Sequence, residues 1–69
     1  MLQVDISGSG GNAFALLGNV QQWGKDLGMS KEQVKKITEE MITGDYENLC
    51  RVIMDYFGDY VLLVDNDAR

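Results

Sequence analysis

This chain predicts a small α+β domain with the element order β-α-α-α-β, and three observations carry that prediction. Apolar and polar residues alternate over 2–6, three successive segments repeat apolar residues at spacings of three and four, and a β-branched, aromatic run fills 60–64. With 69 residues, a single domain over 1–69 is expected. A chain of that length buries only about 60% of the surface its unfolded form exposes, so its core is limited.

Leu2, Val4 and Ile6 alternate with Gln3, Asp5 and Ser7, which predicts a strand over 2–6 with one buried face. After a glycine-rich loop, Ala13, Leu16, Leu17, Val20, Trp23, Gly24 and Leu27 fall on one side of a helix over about 13–27, which Gly28 ends. Gly18 and Gly24 inside that helix each cost roughly 1 kcal/mol against alanine, so each calls for an offset, and close backbone approach by a neighbouring element is expected at Gly24.

Ser30-Lys31-Glu32-Gln33 fits a capping box, so a second helix should start at Lys31. Its apolar stripe is Val34, Ile37, Met41 and Ile42, and Lys35 with Glu39 and Lys36 with Glu40 are spaced to pair on its wet side. Gly44 offers a left-handed stop and Asp45 the next N-cap, giving a third helix over about 46–57 that buries Tyr46, Leu49, Cys50, Ile53 and Phe57. Gly58 closes it, and Tyr60 to Val64 forms the second strand. Two strands alone leave open edges, so a two-stranded sheet extended across a homodimer is expected.

Charge and residue usage exclude several classes of function. Net charge is −5 and unevenly placed: residues 1–43 carry five acids and four bases, residues 44–69 six acids and two bases. Such a field opposes nucleic acid and anionic membranes and favours a partner with a basic surface. With one cysteine and no histidine there is neither an internal disulfide nor the usual tetrahedral zinc set. The start of the chain lacks the basic, apolar signature of a signal peptide, and no apolar run approaches the roughly 20 residues of a membrane span, so a cytoplasmic protein is expected.

The densest glycine cluster, Ser7-Gly8-Ser9-Gly10-Gly11-Asn12, lies at the strand-to-helix junction where proteins often hold phosphate. Gly8-x-Gly10-x-x-Ala13 fits the spacing of a dinucleotide fingerprint. One reading is a site for a nucleotide-like anion built from Ser7, Gly8, Ser9, Gly10, Gly11, Asn12 and Ala13; the other is a turn capped by Asn12. No lysine follows as in a phosphate-binding loop, and no second strand with an acidic end lies about 20 residues on. Lys25 or a lysine of the second helix would have to fold over the loop to help.

Asp45, Glu47, Asp55 and Asp59, with Asp65 and Asp67, are hard oxygen ligands in principle, but Asp65-x-Asp67 lacks the remainder of a calcium loop, and a solvated face is the better reading. No metal and no cofactor is expected. Without histidine no serine triad is possible, and Cys50 lies on an apolar stripe as an inert thiol, so no catalytic residues are assigned and the chain is not expected to be an enzyme. Phe14 and Tyr56 sit at the margins of their stripes and are candidates for an exposed contact or a dimer seam. The candidate partner-binding surface is Asp45, Glu47, Asp55, Tyr56 and Asp59.

Gly11-Asn12-Ala13-Phe14-Ala15-Leu16-Leu17-Gly18, then Gly44-Asp45-Tyr46-Glu47-Asn48-Leu49 and Phe57-Gly58-Asp59-Tyr60-Val61, resemble a group of short phage- and prophage-encoded proteins of unsettled role. In that group a first strand runs into a Gly-Asn-Ala-Phe helix opening, and the end reads Gly-Asp-Tyr, Phe-Gly-Asp-Tyr and a strand. The resemblance covers residues 4–64 and brings no catalytic residues. It implies a protein made in a bacterial host, where such proteins bind and disable a host component or sequester a nucleotide signal.

Overall fold

In the computed structural model, which describes residues 2–7 and 11–65, the two strands lie side by side and parallel. β1 spans Leu2–Asp5 and β2 spans Val61–Val64, with Leu2 opposite Val61 and Asp5 opposite Val64. Parallel pairing requires a long crossover, and three helices supply it: α1 Ala13–Asp26, α2 Lys31–Ile42 and α3 Tyr46–Phe57. The ladder runs one step further at each end. Leu2 N–H donates to the Tyr60 carbonyl at 2.9 Å, and Ile6 N–H to the Val64 carbonyl at 2.8 Å.

Each helix starts where a side chain can satisfy its free amides. Asn12 accepts from the Ala15 N–H at 2.8 Å, and Asp45 accepts from the Asn48 N–H at 2.9 Å. Ser30 and Gln33 form the reciprocal pair, the Gln33 N–H reaching the Ser30 hydroxyl at 3.1 Å and the Ser30 N–H reaching the Gln33 side chain at 2.9 Å. Gly28, at φ 77°, supplies the left-handed turn that separates α1 from α2.

Helical spacing brings Leu16, Val20 and Trp23 of α1, Ile37 and Met41 of α2, and Leu49, Ile53 and Phe57 of α3 into one cluster, closed by Val61 of β2. Trp23 meets Phe57 edge-on at 5.8 Å between ring centres.

Several expectations need correction. Gly44 is not left-handed; Thr43 caps α2, and a Cβ on Gly44 would meet the Asn48 side chain at 2.9 Å. Tyr46 is 41% exposed instead of buried in the core, with only its hydroxyl, bonded back to the glycine turn, part-buried, and Val52 takes a place in the core that periodicity missed. Ile42 and Leu27 lie at or beyond helix ends and are exposed, 63% and 47%. Cys50 is half-buried. At Gly24 the close neighbour is the side chain of Val34, whose Cγ2 would lie 2.4 Å from an added Cβ. A contact that no expectation covered is the Tyr56 hydroxyl donating to the Glu40 carboxylate at 2.6 Å.

Candidate functional site

The glycine turn is built by packing as far as it is described; Gly8, Ser9 and Gly10 lie outside the described residues. Gly11 is buried, and a Cβ there would fall 2.2 Å from the Ile6 carbonyl oxygen. Glycine at this position lets the entry to α1 cross the end of β1. The Gly11 carbonyl accepts a hydrogen bond from the Tyr46 hydroxyl, which ties the turn to the first turn of α3. Burial raises the pKa of Tyr46 above its ordinary value, with smaller contributions from Cys50 and Asp65.

Three donors around the entry to α1 have partners within the chain. Asn12 occupies the Ala15 amide. The Ser7 N–H and hydroxyl both donate to the Asp5 carboxylate, at 2.9 and 2.5 Å. The Asp5 carboxylate thus sits beside Ser7, and its negative charge opposes an anion at that residue. Lys25 is twelve residues beyond Ala13, about 18 Å along the helix axis at 1.5 Å per residue. It reaches the far end of α1, away from the turn.

The candidate partner-binding residues divide between three places. Glu47 and Asp55 are eight residues apart, so both project from the outward side of α3, where Arg51 and Met54 lie between them. Asp45 is spent in part as the N-cap, and Asp59 follows Gly58 beyond the helix end. Tyr56 turns toward α2. Its hydroxyl donates to Glu40, which raises its pKa, and its ring walls a cleft of about 190 Å³ with Met29, Lys36 and Ile37. Phe14 is 87% exposed on the first turn of α1, the largest apolar side chain so placed among the described residues.

The thiol of Cys50 is half-buried on α3, and burial pushes its pKa up, away from the thiolate. No group of three or more acidic or cysteine side chains among the described residues converges on a metal-sized site. No described helix is long and apolar enough to cross a membrane.

Sequence reasoning missed one surface. α1 and α2 enclose an open groove of about 740 Å³ whose walls include Lys25, Lys31 and Lys35. The signal was present as Lys31 and Lys35 four apart on α2 with Lys25 near the end of α1, but their convergence depends on how α1 packs on α2. The chain matches no family model, no curated protein and no solved structure.

Proposed function

We propose that this chain is a small non-enzymatic accessory protein of the phage type, which binds and modulates a bacterial host protein through its acidic C-terminal surface. The observation that supports the reading is the separation of charge. Glu47 and Asp55 stand on the outward side of α3 with Asp45 and Asp59 at its two ends, four acids around the single base Arg51, whereas lysines line the α1–α2 groove. A dipolar surface of that kind accelerates encounter with a basic partner and orients it, at a rate that salt suppresses. The Asp5 carboxylate, which takes both donors of Ser7, disfavours a nucleotide-like anion beside that residue.

Affinity capture from a bacterial lysate tests the proposal when the wild type is compared with Glu47→Gln/Asp55→Asn/Asp59→Asn at two salt concentrations. A basic protein retained in stoichiometric amount, and lost on substitution or in high salt, supports it. Identical captured sets from both proteins, insensitive to salt, sink it.

A further inference from the structure

Every described glycine except one has a local reason to be glycine. A Cβ would meet a neighbour at 2.2–2.9 Å at Gly11, Gly24, Gly44 and Gly58, and Gly28 has a positive φ. Gly18 has neither. It lies in the middle of α1, where glycine is the least favourable residue short of proline, and a Cβ there would meet nothing within 4 Å. The bare backbone at Gly18 opens on the groove between α1 and α2.

That groove is the reverse of the rest of the molecule. Three of the chain's six basic residues line it, and of its eleven acids none described does. Lys31 and Lys35 stand one turn apart on α2, and Lys25 faces them from α1. Met29 and Val34 give the floor an apolar strip. No aromatic side chain among those described is present to stack a nucleobase. The combination of a bare backbone, an apolar floor and a cationic rim matches the recognition of an amphipathic segment laid in a groove.

We propose that the α1–α2 groove docks an acidic, amphipathic segment of a partner protein, its backbone lying against Gly18, its apolar side chains on Met29 and Val34, and its carboxylates toward Lys25, Lys31 and Lys35. The site is separate from the outer face of α3 and stands or falls independently of it.

A short fluorescein-labelled peptide with leucine at helical spacing and glutamate elsewhere is the probe, with its lysine-for-glutamate counterpart as control. Fluorescence anisotropy at low salt should show binding of the glutamate peptide alone. The triple variant Lys25→Gln/Lys31→Gln/Lys35→Gln should weaken it at least about tenfold. Gly18→Ala should raise the melting midpoint by about 4–8 °C, as alanine favours the helix, yet weaken the peptide at least about tenfold. A glycine that serves only the fold would change stability and leave binding alone. The proposal is overturned if the glutamate peptide does not bind, if the lysine peptide binds equally, or if either variant leaves affinity unchanged. It is overturned also if tripolyphosphate displaces the peptide with higher affinity, making the groove a phosphate site. Self-association seen by sedimentation and abolished by the lysine substitutions would make the occupant a second copy, with the same result.

Discussion

Gly11 shows how a residue that suggests chemistry can be explained by contact. In sequence it belongs to a cluster with the spacing of a nucleotide loop; in the fold its missing side chain is what lets the backbone cross Ile6. The Cβ of an alanine would press on main-chain atoms, which cannot swing aside as a side chain can. Gly11→Ala is therefore expected to destabilise the protein by about 3 kcal/mol, the upper end of overpacking. Urea unfolding monitored by Trp23 fluorescence checks this, and a loss below about 1 kcal/mol would mean the turn relaxes freely. Local chemistry was legible at such positions when it involved near neighbours: Asn12, Ser30 and Asp45 cap as their spacing predicts. Tyr46 was not legible, because its partner is the Gly11 carbonyl, 35 residues away.

Helix periodicity made the elements and their order readable, with boundaries within a residue or so. What periodicity could not supply is how two helices meet. α2 and α3 are fastened by the Asn48 amide donating to the Glu40 carbonyl at 3.0 Å and by the Tyr56 hydroxyl donating to the Glu40 carboxylate. Neither bond has a sequence signature, since Tyr56 reads as the margin of a stripe. The second bond makes a pH prediction. The carboxylate holds the Tyr56 proton, so the folded-state pKa lies above the ordinary value of about 10. The folded state then binds that proton more tightly than the unfolded state, and the stabilisation is intact below about pH 10 and is lost as pH rises through the folded value. Absorbance titration of tyrosinate should show a late-ionising group that disappears in Tyr56→Phe. If the variant removes a group ionising at or below the ordinary value, the α2–α3 tie is absent in solution.

At the scale of the whole molecule, the parallel sheet is the unusual feature. Parallel sheets are commonly covered on both faces, yet here Val61 points to the core while Leu62, its neighbour on the other face, remains 38% exposed. Strand direction was open in the sequence, because no turn joins the strands directly. Both strands of a two-stranded sheet keep an outer edge, and the expected homodimer would pair one with its copy. Sedimentation at micromolar concentration is expected to give the dimer mass, and a folded monomer that persists there would contradict pairing. Likewise the lysine groove belongs to this scale, for its charges come from two helices and gather only on packing.

The most direct test of the proposed function is to map where the captured basic partner touches the protein. Titrating uniformly ¹⁵N-labelled chain with that partner should shift the amides around Glu47, Arg51, Asp55 and Asp59, in a salt-dependent way, and leave Gly11 to Ala15 in place. Shifts confined to Gly11 to Ala15, with the outer face of α3 unchanged, would contradict the account.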